Sequence, residues 1–188
     1  EIEHKAYLTG VMRAYDAAGR YKVDSMVYSR LTLRLPLPSP GPAARVLNCD
    51  LNAVIGRLPA DVLYLDPPYA ARQYADLYHV LENIALWHKP AVAGKTRKFD
   101  RSHLRSPYSM RSRAAGALTE LIRAARTRHI FLSYNSEGIV PDEVIAAALG
   151  ERGSVQLFEI DYGVFGNGAG QAVNRKVKER LFHCRTTR

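Results

Sequence analysis

Asp61-Val62-Leu63-Tyr64-Leu65-Asp66-Pro67-Pro68-Tyr69 is the stretch from which the rest of the chain is read. The apolar run from Val62 to Leu65 is short and stops at an acid, the pattern of a buried parallel strand. In an open parallel sheet, ligands bind beyond the carboxyl ends of the strands. Two prolines in series remove two backbone donors and stiffen the turn. The Pro67 carbonyl is then a rigid acceptor beside the Asp66 carboxylate. Two neighbouring acceptors suit a primary amine, which offers two hydrogens, and Tyr69 adds a flat aromatic face. The same tetrapeptide also serves as a plain stiff turn, so the strand in front of it carries much of its weight.

Outward from this corner the text has an α/β rhythm. Upstream, Arg45 to Cys49 reads as a short strand ending at Asp50, and Asn52 to Leu58 as one or two helical turns. Downstream, Leu77, Val80, Leu81, Ile84 and Trp87 mark a helical face, with Tyr78, Leu81 and Trp87 expected in the core. Leu118, Leu121, Ile122 and Ala125 mark another helix, and His129 to Tyr134 a second buried strand. Pro141, Asp142 and Glu143 open a helix that Gly150 closes. Val155 to Tyr162 and Val177 to Cys184 alternate as two strands of an antiparallel hairpin. The expected fold is therefore α/β, a mostly parallel sheet with an antiparallel C-terminal hairpin.

Residues 1–43 read as a separate segment before this catalytic part at 44–188. Helical spacing over 2–18 is followed by alternation over 27–35 and then by Pro36, Pro38, Pro40, Gly41 and Pro42, a linker composition. The chain begins at Glu1 in what reads as mid-helix, so N-terminal truncation is expected.

The 188 residues suit one domain with a real core. No apolar run is long enough to span a bilayer, and no secretory signal is visible. Cys49 and Cys184 lack zinc spacing and read as buried free thiols of a cytoplasmic protein, with no metal expected. The net charge of +9 points to a polyanionic partner, with simple solubility as the bland alternative. Its distribution favours the former. From His88 to Arg113 there are eight Lys/Arg against Asp100 alone, a basic insertion suited to phosphates.

The exocyclic amine of adenine fits the corner's chemistry. Its lone pair is delocalised into the ring, so it is a poor nucleophile. Hydrogen bonds to Asp66 and the Pro67 carbonyl would favour a tetrahedral nitrogen, by positioning and electrostatics rather than covalent catalysis. A base within a duplex must be flipped out to be reached, and Tyr69 can stack on it for about 1–3 kcal/mol.

Leu63 to Tyr69, then Arg72-Gln73-Tyr74, then Tyr78-His79-Val80-Leu81-Glu82, resembles the Dam-type N6-adenine DNA methyltransferases, in particular their FokI methylase-like restriction–modification branch. Asn48-Cys49-Asp50, Phe131 to Gly138 and Arg175 to Phe182 match further family pieces in order. The resemblance covers roughly 44 to 188. It implies a Rossmann-like methyltransferase fold, S-adenosylmethionine as cofactor, double-stranded DNA as substrate and a restriction endonuclease as a possible partner. Carried over residue by residue, Asp66, Pro67, Pro68 and Tyr69 form the catalytic corner, while Asp50 and Asp66 serve the cofactor. Arg72, Gln73, Tyr74 and His79 are expected near the flipped nucleotide, where Arg and Gln can read base edges. Lys95, Arg97, Lys98 and Arg101 are expected on phosphates, which position without specifying. Asp50 also reads as a helix cap, and Asn135 as a turn residue before Gly138.

The family's Phe-x-Gly-x-Gly cofactor loop does not occur before Asp66. Gly166-Asn167-Gly168-Ala169-Gly170 lies too near the end to replace it and reads as a hairpin tip. Two alternatives therefore stand beside the DNA enzyme: an RNA methyltransferase of similar fold, and a catalytically incomplete nucleic-acid-binding remnant.

Overall fold

Alternation along 127–135 puts Ile130, Leu132 and Tyr134 on one side of a strand, and all three are buried. Two helices supply the rest of that core. Leu118, Leu121 and Ile122 recur at helical spacing on one face of α4 (Ala114–Ala124) and are at most 2% exposed. Ile145 and Leu149 do the same on α5 (Asp142–Gly150). Each such side chain contributes about 1.5–3 kcal/mol when fully buried. They join Leu65, Phe182 and Cys184 in a single hydrophobic cluster.

This computed structural model describes residues 41, 44–93, 99–163 and 176–187, without the side chains of 80, 162, 163 and 176. The features expected over 2–18, 27–35, most of the proline run, Lys95, Arg97, Lys98 and the glycine stretch 166–170 lie outside them.

The described residues fall into two compact units, 48–71 with 106–163 and 176–187, and 44–47 with 72–93 and 99–105. The larger unit holds the sheet: β1 (Ala60–Leu65), β2 (Thr127–Asn135), β3 (Gly153–Gly163) and β4 (Lys176–Thr186), in the order β1-β2-β4-β3. Before β1, Leu51–Val54 forms one turn, α1, continued as a 3-10 turn over Ile55–Arg57. β1 and β2 are parallel, with Leu65 opposite Leu132. β4 runs antiparallel to both neighbours, placing Phe182 opposite Leu132 and Leu157. Among the described residues the sheet is thus mixed, with one parallel pair, where a mostly parallel sheet was expected. The hairpin explains the difference: its second strand, not its first, inserts beside β2.

Ions fix that hairpin to α5. The Arg180 guanidinium donates through Nε to Glu159 on β3 at 2.8 Å and through a second nitrogen to Asp142 in the first turn of α5. Lys178 and Arg180 beside Glu159 hold its carboxyl below the usual range. On the opposite face of the sheet, Val62 and Tyr64 are exposed, and Phe131 stacks on His183 at 4.4 Å.

Three local expectations are corrected. Residues 45–49 form no strand, and Val46 is 89% exposed: among the described residues no strand lies beside these two apolar side chains. Cys49 is exposed for the same reason, whereas Cys184 is buried and its thiol is pushed up by desolvation. Trp87 is 74% exposed: it follows the end of a helix at φ 53°, which turns it out of the helical face.

Candidate active site

Asp66 follows directly on β1, and the corner it opens is at the surface. Asp66 is exposed, Pro67 and Pro68 are half-buried, and Tyr69 is 42% exposed. No hydrogen bond from the described residues ends on the Asp66 carboxylate or the Pro67 carbonyl. The two acceptors expected from the sequence are therefore uncommitted within the described chain.

The corner is anchored from the neighbouring strand. The Ile139 N–H donates to the Tyr69 carbonyl at 2.9 Å. Ile139 itself is held by the turn after β2. There the Asn135 side chain accepts from the Glu137 N–H at 2.9 Å and donates to Glu179 on β4 at 2.7 Å. The Ser136 N–H and the Lys178 carbonyl pair at 2.9 Å, and the Lys178 N–H returns to the Ser136 hydroxyl at 3.0 Å. Asn135 is 7% exposed, so its amide is satisfied within the turn, as a turn residue's should be.

Tyr134 completes the support. Its hydroxyl accepts from the Val140 N–H at 3.2 Å, and burial pushes its phenol up. Its ring lies so close to Gly138 that a Cβ there would sit 2.1 Å from ring carbon Cε1. Gly138→Ala is therefore expected to displace a buried ring and destabilise by about 1–3 kcal/mol. A urea titration should show a lower midpoint with an unchanged slope.

Asp50 caps α1: its Oδ1 accepts from the Asn52 N–H at 3.0 Å. The carboxylate is nonetheless exposed. Behind the cap lies a contact that the sequence did not disclose. The Tyr108 hydroxyl donates to Asn52 Oδ1 at 2.5 Å, and Asn52 Nδ2 donates to the Ala117 carbonyl at 2.9 Å. Burial, then the Asp50 charge, push the Tyr108 phenol up to about 12. The available signal was Ser106-Pro107, a serine whose Oγ accepts from the Tyr108 N–H and a proline that opens a 3-10 turn. Tyr108→Phe should cost about 0.5–1.5 kcal/mol, one hydrogen bond's net worth, read from the same titration.

The smaller unit carries the other named residues. Gln73 precedes α2 (Tyr74–Leu77), and His79 begins α3 (His79–Ala85). Gln73 and His79 are buried, at 8% and 5% exposure, and His79 Nδ1 lies 3.3 Å from the Asp76 carbonyl. Arg72 is exposed, and Tyr74, half-exposed, meets the Tyr78 ring edge-on at 5.6 Å. Arg101 is 10% exposed, donating through Nε to Asp76 at 2.9 Å and through NH1 to the Phe99 carbonyl at 2.9 Å. Those bonds assign it to bracing α2. Asp66 to Tyr69 thus stand together on the surface, Asp50 marks a helix start, and the four residues expected near the nucleotide divide into exposed Arg72 and Tyr74 and buried Gln73 and His79.

A cleft of about 940 Å³ lies in the larger unit at the other end of the sheet, lined by residues that begin β1 and β2. The exposed corner is not part of it. No group of three or more metal-ligating side chains occurs among the described residues, and no described helix is long and apolar enough to cross a membrane.

Comparison with known proteins shows the family of the chain. The model of the D12 class N6 adenine-specific DNA methyltransferases matches residues 19–145. Modification methylase StsI of Streptococcus sanguinis is 36% identical over 142 residues, 74% of this chain and 22% of that protein. Type II methyltransferase M.FokI of Planomicrobium okeanokoites is 34% identical over 160 residues, 85% of this chain and 25% of its own. Type II methyltransferase M.NlaIII of Neisseria lactamica is 38% identical over 121 residues, covering 64% and 36%. The chain spans about a quarter of the length of the first two. No solved structure matches it significantly.

Proposed function

We propose, from the premise that this chain belongs to the D12 class of N6 adenine-specific DNA methyltransferases, that it carries the base-handling part of an enzyme that methylates adenine in DNA. The observation that carries this reading is the exposed Asp66-Pro67-Pro68-Tyr69 corner at the carboxyl end of parallel strand β1, with its two acceptors uncommitted among the described residues. A flipped adenine stacks on Tyr69. Its amine donates one hydrogen to the Asp66 carboxylate and the other to the Pro67 carbonyl, which draws the nitrogen toward tetrahedral geometry. The double proline keeps both acceptors still, so little reorganisation is needed as positive charge develops on the nitrogen.

The donor chemistry of the exposed carboxylates fits S-adenosylmethionine: acceptors for its hydroxyl groups and negative charge for its sulfonium. Asp50 and Asp66 are the residues that would hold it, and when bound it supplies an electrophilic methyl group. Tyr108, through Asn52, keeps the Asp50 cap in place. Arg72, Gln73, Tyr74 and His79 follow the corner in the chain and serve the flipped nucleotide and its neighbours, the buried Gln73 and His79 by shaping the small unit. Lys95, Arg97 and Lys98 are assigned to phosphates. The names of the relatives, a modification methylase and a type II methyltransferase, favour a restriction–modification role; an endonuclease partner and a cytoplasmic setting belong to the same proposal.

Transfer of labelled methyl groups tests the reading. With the chain in its complete protein, label should enter the N6 position of adenine in duplex DNA and not structured RNA. Label in RNA alone would establish an RNA enzyme instead. Saturable nucleic-acid binding with no transfer to either polymer would identify a remnant.

A further inference from the structure

The end of the sheet remote from Asp66 gathers arginines that the proposed chemistry does not use. Arg123, Arg126, Arg128, Arg152 and Arg185 line the 940 Å³ cleft, with Asp61 as its acid. They converge because Ala60 pairs with Thr127, and His129 with Arg185, bringing the starts of β1 and β2 to the end of β4. Asp66 lies just past the far end of β1, five residues beyond Asp61 and roughly 17 Å away at about 3.3 Å per residue.

Their commitments differ. Arg123 is taken by Glu151, with two bonds of 2.6 and 2.7 Å. Arg128 lies 3.6 Å from Asp61, with both side chains largely exposed, a pairing of little strength. The side chains of Arg126 and Arg185 have no partner among the described residues. Arg152 donates to the Ala125 carbonyl at 2.8 Å, yet its Nε is buried with no acceptor. A buried donor left unpaired is costly. Complementing the C-terminal end of α4 accounts for Arg123 and Arg126. It does not account for Arg128 or Arg185, which sit on strands.

The chemistry favours phosphate. A guanidinium fork matches phosphate oxygens two at a time. Besides the arginines, the lining is small or polar, with His129 its one aromatic ring, so it offers no deep apolar slot for a peptide anchor and no broad platform for a base. A single phosphate would occupy one fork, whereas several forks spread over an open cleft suit successive phosphates of a chain. We propose that this cleft grips the backbone of DNA, independently of the base-handling corner and without reading sequence. The proposal requires only that the chain binds DNA, not that it methylates it.

The test uses a fluorescently labelled duplex and the triple variant Arg126→Gln, Arg128→Gln, Arg185→Gln. Each phosphate contact contributes about 0.9 to the slope of log affinity against log salt, so the variant's slope should be smaller by about 2 to 3. These side chains are exposed, and the variant's circular dichroism melt should match the parent's. In the unaltered protein, duplex should shield the same three arginines from phenylglyoxal, read by peptide mass spectrometry, and millimolar inorganic phosphate should not. An unchanged slope, arginines modified equally with and without duplex, or shielding by inorganic phosphate alone would overturn the proposal. Asp66→Ala leaves the slope untouched while testing methylation, so either reading can fail without the other.

Discussion

Asp66→Ala, made in the complete protein, should lower methyl transfer to duplex DNA by about two to three orders of magnitude and leave DNA affinity within about twofold of the parent. The size follows from the role. Removing one preorganised group that stabilises developing charge costs about 10²–10³ in rate, and Asp66 is an exposed carboxylate at a strand end rather than a core residue. The affinity should survive because backbone contacts, not this carboxylate, supply most of the binding. Single-turnover transfer of labelled methyl groups measures the rate, and fluorescence anisotropy the affinity. Asp66→Asn sharpens the result: it keeps an acceptor oxygen but loses the charge, and should fall between the two. Parental turnover by Asp66→Ala would remove the corner from the chemistry.

The largest effect on stability is expected at the middle of the sheet. Leu132 is fully buried, lies opposite Leu65 on one side and Phe182 on the other, and belongs to the cluster with both helices. Leu132→Ala should cost about 2–5 kcal/mol, the transfer term plus the cavity left by neighbours that relax only in part. Against a typical total of about 5–15 kcal/mol, that is a large share. Denaturant unfolding followed by fluorescence should show the midpoint fall. A loss under about 1 kcal/mol would mean that the core collapses readily onto the gap.

The parts of this architecture written in local chemistry were legible from the residues. Helical spacing at Leu118, Leu121 and Ile122, the Pro141 opening of α5, alternation in 129–134 and the strand ending at Asp66 all appear where expected. What depends on distant partners was not legible. Apolar Val46 and Leu47 look like strand, but no strand lies beside them among the described residues. Trp87 looks like core until the φ of 53° turns it outward. The place of β4 between β2 and β3 is a choice of pairing that alternation cannot encode. The Tyr108–Asn52 bond joins residues 56 positions apart, and the arginines of the far cleft come from three separate stretches, 123–128, 152 and 185.

One bond described above has a bearing on how such proteins diverge. The tie between the 139 amide and the 69 carbonyl is made by main-chain atoms alone. Any residue but proline at 139 can supply that amide, whatever its side chain. Side chains around this loop can therefore be exchanged while the course of the main chain at the corner is kept.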